Sequence, residues 1–176
     1  MENYQTLPQP SFWEATKKGF ANILSFRGRS RRSEFWWFAL SFWVCSFLLS
    51  LTYQPFVSTE VTSIVSNSIS FLIIPIMVRR MHDRGLWGIL PFLAWIFSAA
   101  IDFYLLFAGY IDKLTSVNVS PKVVEEMISD PVVILLYLGS FVVSITLLVF
   151  LCLDGKKEPN RFGPSPKYVA EFIVNQ

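Results

Sequence analysis

The stretch Arg79-Arg80-Met81-His82-Asp83-Arg84-Gly85 decides how this chain folds. It places three arginines, the chain's one histidine and an aspartate within seven residues. Apolar runs flank it on both sides, at residues 61–78 and 86–109. Because charged side chains are costly inside a bilayer, the stretch is predicted to form a tight turn at one membrane surface. That turn would join two transmembrane helices and fix their orientation.

Composition also predicts membrane insertion. Of the 176 residues, 53% are hydrophobic and 16% are aromatic. Four apolar runs, at about residues 35–54, 61–78, 86–109 and 132–153, are close to the ~20 residues that one helical crossing needs. The sequence therefore predicts an all-α integral membrane protein, with four transmembrane helices in one membrane domain over residues 27–153.

The chain before the first run divides into two parts. Residues 1–10 are polar with two prolines, which predicts a loose lead. Residues 11–26 carry apolar and aromatic side chains at helical spacing with charged side chains between them, which predicts an amphipathic helix. This helix is expected either in the membrane interface, with its aromatic side chains in lipid, or packed on the transmembrane bundle.

Lysine and arginine are distributed unevenly along the chain. The N-terminal segment, the central turn and the C-terminal tail together hold 13 of them, whereas the other two connections hold 2. The positive-inside rule therefore predicts that both termini and the central turn are cytoplasmic. The tail, residues 154–176, is rich in glycine and proline at its start, which predicts an irregular cytoplasmic strap.

Three charged segments, residues 26–37, 79–88 and 154–166, are thus expected at one end of the bundle. Neighbouring helix ends lie ~10 Å apart, so these segments can touch. One interpretation is an ion-pair network in which Glu34, Asp83 and one of Arg79 and Arg80 are joined, or in which Arg79 pairs with Asp83 one turn along the helix. The full set of candidates for this structural network is Glu34, Asp83, Asp154 and Asn160.

The second interpretation is a basic pocket at headgroup depth for an anionic lipid or a phosphorylated small molecule. The candidate ligand-binding or lipid-binding residues are Arg27, Arg29, Arg31, Arg32, Arg79, Arg80, His82, Arg84 and Arg161. Both interpretations remain open on the sequence.

Several single residues carry local expectations. Pro75 is expected to kink the second helix, and Gly85 to end it in the left-handed conformation. Ser33 is a candidate cap for a helix beginning at Glu34. Gly139 is expected at a close helix contact.

Two polar side chains lie within the apolar runs. Asn67 belongs to a row of small polar residues, which indicates either close helix packing or the lining of a pathway. Asp102 is expected near the outer surface, as a solvated carboxylate or as a functional group. A pathway through both residues would make the protein a small-solute transporter or channel subunit.

Three motifs resemble a known family. They are Phe26-Arg27-Gly28-Arg29 with Arg31-Arg32-Ser33-Glu34-Phe35-Trp36, then Arg79 to Gly85, then Asn160-Arg161-Phe162-Gly163 with Pro166. Together they resemble the YhaH-like family of small bacterial inner-membrane proteins, known as domain of unknown function 805, over about residues 13–166. Met81, Pro159 and Ser165 depart from the family pattern. The resemblance implies a helical fold in a bacterial inner membrane and implies no known activity.

The sequence contains no recognisable catalytic constellation. A glycine-rich phosphate loop and the H-E-x-x-H pattern are both absent. His82 with Asp83 is the best acid/base pair, but it has no nucleophile. With one histidine and two isolated cysteines, Cys45 and Cys152, no metal site and no cofactor are expected. The predicted protein is non-enzymatic. Its expected partners are membrane lipids, anionic ones included, a protein partner or a second copy of itself, and not nucleic acid.

Overall fold

The computed structural model describes residues 4–116 and 120–170, so the ends of the predicted lead and tail, 1–3 and 171–176, lie outside the described residues. Two short strands are present, β1 and β2, with bounds Tyr4–Thr6 and Tyr168–Ala170. The α-helices in chain order are α1 Phe12–Ala21, α2 Arg32–Tyr53, α3 Thr59–Phe71, α4 Ile74–Asp83, α5 Ile89–Phe107, α6 Tyr110–Thr115, α7 Pro121–Ser129 and α8 Pro131–Cys152.

Four helical segments are long and apolar enough to cross a membrane. They are Arg32–Phe56, Thr59–Asp83, Ile89–Phe107 and Pro131–Cys152, with 25, 25, 19 and 22 residues. At ~1.5 Å per residue, each of them reaches about the thickness of a hydrocarbon core. The predicted all-α membrane fold is therefore confirmed.

The second span is made of two helices, α3 and α4, separated at Leu72 and Ile73. Pro75 lies in the first turn of α4. Its ring lacks an N–H and crowds the carbonyl of the residue four positions earlier, Phe71, so α3 ends there. The expected kink is thus a two-residue break in the helical hydrogen bonding, within a span that continues from Thr59 to Asp83.

Helix α4 ends as its sequence predicts. Gly85 has φ +76°, and the Leu86 amide donates to the Met81 carbonyl at 3.1 Å. This left-handed glycine turns the chain back toward α5 without the steric cost that a side chain would add.

Helix α1 packs on α2 through its small residues. Ala15, Thr16 and Gly19 are buried, and the Thr16 hydroxyl donates to Ser41 at 3.3 Å. A Cβ atom on Gly19 would lie 2.1 Å from the Phe38 ring, so the glycine allows a close approach. The helix therefore packs on α2, while Trp13 remains 71% exposed, so the position of its aromatic side chains in the membrane interface stays a prediction. The helix ends at Ala21, so it is shorter than the helix predicted over residues 11–26.

The best-buried apolar cluster lies at the end of the bundle that carries the charged segments. It joins the first half of α2, helix α4 and the last turns of α8, through Phe35, Phe38, Ala39, Phe42, Ile73, Ile76, Met81, Leu147 and Leu151. Nearer the middle of the bundle, α5 and α8 approach closely at Gly139, where a Cβ atom would lie 2.6 Å from Phe97. The expected close contact at Gly139 is confirmed.

The two chain ends meet. Strand β1 pairs antiparallel with β2, and the Leu7 amide donates to the Lys167 carbonyl at 2.8 Å. The lead that was expected to be loose is therefore ordered over Tyr4–Thr6 by backbone hydrogen bonds to the tail. Such pairing depends little on side-chain pattern, so the polar sequence does not reveal it.

Candidate functional site

Asp83 is the centre of the charged end. Its carboxylate accepts hydrogen bonds from Arg29 Nε at 2.9 Å and from Arg80 Nη1 at 2.5 Å. The three side chains are only 3%, 1% and 0% exposed, respectively. Arg29 is brought there by the loop before α2, whose Ser30 amide donates to the Arg79 carbonyl. The first and second charged segments therefore meet at a buried ion-pair cluster.

The same two arginines hold the tail. Arg29 also donates to the backbone carbonyls of Lys156, Glu158 and Gly163. Arg80 donates to the carbonyls of Leu151 and Leu153, at the end of α8. These carbonyls accept hydrogen bonds from guanidinium N–H groups that do not bind Asp83. Both guanidinium groups are therefore engaged within the protein. Arg29 and Arg80 are structural here, although the sequence also made them candidate ligand-binding residues.

Glu34 belongs to a different cluster. It accepts from Lys18 Nζ at 2.6 Å and from the Arg31 amide at 3.1 Å. The single network expected to join Glu34 to Asp83 is therefore divided in two. The expected Arg79–Asp83 pair is also wrong, because Asp83 pairs with Arg80 three residues away. Neighbouring helical residues point ~100° apart, and on α4 it is Arg80 that faces α8.

The cap of α2 also differs from its prediction. The helix begins at Arg32, so Ser33 lies inside its first turn and Arg31 is the N-cap residue. The Ser33 hydroxyl oxygen is buried and has no hydrogen-bond partner among the described residues. Glu34 performs the capping role instead, through its bond to the Arg31 amide.

His82 is packed into an aromatic stack. Its ring lies 3.7 Å from that of Phe162 at an angle of 4°, and its Nδ1 atom is 3.1 Å from the Gly28 carbonyl oxygen. The Arg161 guanidinium lies 4.0 Å from the centre of the Trp87 ring. These contacts fix the third charged segment on the central turn. They give His82 a packing role, while its neighbour Asp83 is engaged by arginines.

Asn160 secures the turn that carries the stack. Its side-chain nitrogen donates to the His82 carbonyl at 2.9 Å, and its oxygen accepts from the Phe162 amide at 2.9 Å. Gly163, with φ +125°, closes the turn through a backbone bridge to Asn160. The structural role predicted for Asn160 agrees with this geometry.

Asp154 connects the end of α8 to the tail. Its carboxylate pairs with Lys167, and its carbonyl accepts from Arg84 Nη1 at 2.5 Å. Burial would raise the pKa of Asp154, but the hydrogen bond and charge of Lys167 outweigh burial and hold the pKa below its usual value. The hydrogen bond to Asp154 in turn raises the pKa of Lys167.

Beside these clusters lies the Trp pocket, a cavity of about 580 Å³ between α2 and the two chain ends. Indole rings and cationic side chains both line it. The residues that define it are Arg31, Arg32, Trp36, Trp37, Trp43 and Lys167, together with Ser33, Leu40 and Asp154. Lys167 and the indoles were not among the predicted site residues. The tryptophans show only the spacing of interfacial anchors, and Lys167 lies in the pocket because strand β2 carries it there.

A second cavity, of about 180 Å³, lies between α1, the following loop and α4. Arg27, Arg79, Lys18 and Glu34 line it. We call it the Arg79 cavity. The predicted candidates are therefore divided among the Asp83 cluster, the Trp pocket and the Arg79 cavity, except for Arg84, which donates to the Asp154 carbonyl. His82 and Arg161 lie instead in the aromatic stack.

The two polar side chains within the apolar spans contact each other. Asn67 Nδ2 donates to Asp102 Oδ2 at 2.7 Å, and Trp95 Nε1 donates to the Asn67 carbonyl at 3.0 Å. These bonds join α3 to α5. Their geometry is that of helix–helix packing, as expected for a polar pair within apolar helices.

The fold and the charged end define a class: a small α-helical membrane protein in which buried arginines join the loop before the first span, the central turn and the tail. Within the residues that the structure describes, no group of three or more His, Cys, Asp and Glu side chains is placed to hold a metal. The chain belongs to the family described as "Protein of unknown function (DUF805)", whose profile matches residues 23–164. That match includes the first two charged segments and all but the last two residues of the third. None of the curated proteins and none of the solved structures matches the chain.

Proposed function

We propose that this protein is a non-enzymatic, multi-pass protein of a bacterial inner membrane that binds the headgroup of an anionic lipid in the Trp pocket. The observation that supports the proposal most directly is the lining of that pocket. Cationic side chains and indole rings line one cavity of about 580 Å³, within the ~300–1,000 Å³ typical of ligand pockets.

The charges of the Trp pocket favour an anion. Arg31, Arg32 and Lys167 face one carboxylate, that of Asp154. Arg31 Nη1 is engaged by the Leu7 and Pro8 carbonyls. Arg32 is exposed and uses only Nη1, which donates to the Cys152 carbonyl, among the described residues. Arg32 therefore keeps N–H groups for a ligand, and a basic side chain near an anionic membrane surface contributes ~1 kcal/mol to attraction.

The indoles favour a lipid over a soluble anion. Trp37 and Trp43 are 37% and 57% exposed on α2, below the arginines. Tryptophan prefers the level of lipid headgroups, because its ring is apolar and its N–H is polar. Leu40 borders this pocket and also an apolar groove between α1 and α2. A lipid whose acyl chain lies along Leu40 would have its headgroup phosphate beside Arg32.

The orientation follows from charge. The 13 lysines and arginines in the two end segments and the central turn, against 2 in the other connections, support a cytoplasmic position for both termini. The Trp pocket would then lie at the inner leaflet, where anionic headgroups create a negative surface potential.

Native mass spectrometry of the full chain, released from mixed phosphatidylglycerol and phosphatidylcholine, tests the proposal. We expect retained phosphatidylglycerol on the wild-type protein and several-fold less on Arg32→Gln. Arg27→Gln is the matched control, since Arg27 is an exposed arginine that lines the other cavity. Equal retention by wild type and Arg32→Gln, or equal retention of the two lipids, would overturn the proposal.

A further inference from the structure

We propose that the Arg79 cavity is a separate binding site for a small oxyanion of the phosphate type. Its ligand is either free inorganic phosphate or the phosphomonoester headgroup of a lipid. The inference goes beyond the Trp pocket, because none of the residues that carry it lines that pocket. It stands on an unpaired buried arginine, on the size of the cavity and on the balance of charges within it.

Arg79 differs from its neighbours in its partners. The residue is 7% exposed, and its Nε atom is buried with no hydrogen-bond partner among the described residues. Arg29 and Arg80, by contrast, donate to the Asp83 carboxylate and to several carbonyls. An arginine removed from water without a paired anion is strongly unfavourable. A ligand that accepts hydrogen bonds from Arg79 would remove that cost.

The size of the cavity selects a ligand of few atoms. About 180 Å³ is well above the ~10–15 Å³ that holds one water, and below the ~300 Å³ at which pockets for drug-sized ligands begin. A phosphate ion or a single phosphoryl group has the right size. A nucleotide or a whole lipid is too large to be enclosed.

The charges lining the cavity select a dianion. Lys18, Arg27, Arg29 and Arg79 face Glu34. Lys18 is neutralised by Glu34 at 2.6 Å, and Arg29 by Asp83 at 2.9 Å. Arg27 and Arg79 form no salt bridge with a carboxylate among the described residues, and Glu34 is the acidic group whose charge acts on Arg79. Their two charges match a phosphate monoester, which carries about −1.5 to −2 at pH 7, and the planar guanidinium group matches its oxygens.

The position of the site gives ligand binding a structural consequence. Lys18 belongs to α1, Arg27 to the loop that follows it, and Arg79 to α4. Arg27 is exposed, which leaves the cavity open at that side, whereas Arg79 is buried deeper. A bound phosphate would therefore connect α1 to α4, the second helix of the interrupted second span. It would also stabilise the folded state by mass action.

Thermal unfolding of the full chain in a zwitterionic detergent tests the site. Inorganic phosphate is titrated against chloride at constant ionic strength, and we expect phosphate to raise the melting temperature of the wild type. Arg79→Gln and Arg27→Gln should abolish this rise. Arg32→Gln, in the Trp pocket, should retain it. Because Arg27 is exposed, its variant is expected to fold even if Arg79→Gln does not.

A second arm distinguishes the two sources of phosphate. The protein is placed in phosphatidylcholine nanodiscs with or without phosphatidate, in buffer that lacks inorganic phosphate. An Arg27-dependent rise with phosphatidate alone assigns the site to a lipid headgroup, and a rise with inorganic phosphate assigns it to the free ion. No rise in either arm, or the same rise in Arg27→Gln as in the wild type, overturns the inference. If Arg32→Gln does not reduce the retention of phosphatidylglycerol, that result counts only against the Trp pocket.

Discussion

Asp83 and Arg29 are separated by 54 positions in the chain, yet the Asp83 carboxylate accepts from Arg29 Nε at 2.9 Å. Both side chains are almost inaccessible, at 3% and 1% exposure. Moving such a pair out of water is expensive, so it persists only where each group has further partners. Arg80 supplies the second partner of Asp83, and the tail carbonyls supply those of Arg29. The ion pair is therefore the point at which loop, helix and tail are held together.

Replacing Asp83 with Asn should strongly destabilise the protein. The substitution keeps the shape of the side chain but leaves Arg29 and Arg80 without their counter-charge, and breaking a buried pair costs ~3–5 kcal/mol. The measurement is the free energy of unfolding in detergent. Glu34→Gln is the comparison: its partner Lys18 is 58% exposed and Gln can still accept from the Arg31 amide, so a smaller loss is expected. Equal losses from both variants would refute the central role of Asp83.

Gly155→Ala should release the tail from the central turn. A Cβ atom at this position would lie 1.9 Å from Asp83 Oδ2, so either the tail backbone or the Asp83 carboxylate, which two arginines hold, must move. We expect a lower melting temperature and faster proteolysis of the tail. Glu158→Ala serves as the control in the same strap, since it keeps the backbone carbonyl that accepts from Arg29. A wild-type melting temperature for Gly155→Ala would show that this close approach is unimportant.

Much of the fold is readable from the sequence because its signals are local. Apolar runs of membrane length, Pro75 and Gly85 determine the spans, the break and the end of α4 through the conformational limits of nearby residues. The sequence likewise predicts that the three charged segments lie at one end of the bundle, because successive spans cross the membrane in opposite directions.

The pairing within that end is not readable in the same way. Arg79 and Arg80 are chemically identical neighbours, and only the rotation of α4 decides which of them reaches Asp83. Lys18 and Lys167 enter the sites because α1 folds back on α2 and β2 pairs with β1, both of which are long-range contacts. Neither residue carries a local pattern that marks it as part of a site.

The ring stack between His82 and Phe162 should contribute measurably to stability. We expect His82→Ala and Phe162→Ala each to lower the free energy of unfolding. Their double-mutant cycle should show a coupling of ~0.5–1.5 kcal/mol, the range found for aromatic pairs. This reverses the expectation that would hold for a solvated histidine, whose removal costs little. A coupling near zero would mean that the two rings are neighbours without a net attraction.

The Asp154–Lys167 pair predicts a pH dependence of tail attachment. The pKa of Asp154 is lowered below its ordinary 3.8, so its contribution is present above that value and is lost as pH falls through the lowered pKa. The pKa of Lys167 is raised above its ordinary 10.5, so its contribution is present below that value and is lost as pH rises through the raised pKa. The effect should be small, because the Asp154 side chain is 42% exposed.

The measurement is the difference in melting temperature between wild type and Lys167→Gln at several pH values. We expect a constant difference over the neutral range that shrinks in acid once Asp154 is protonated. Lys157→Gln is a suitable control, because Lys157 is an exposed lysine of the same tail. A difference that grows as pH falls would contradict the assigned direction.

The orientation of the bundle is open to a direct test. Strands β1 and β2 hold both chain ends at the end of the bundle that carries Asp83, and helices α6 and α7 form the connection between α5 and α8. The charge asymmetry favours a cytoplasmic position for the Asp83 end. After Gln176, a fused reporter that works only in the cytoplasm should therefore be active. Between α6 and α7, an inserted reporter that works only outside the cytoplasm should be active. The reverse pattern would move the Trp pocket and the Arg79 cavity to the outer surface, away from the cytoplasmic phosphate and the inner-leaflet lipids that the two proposals require.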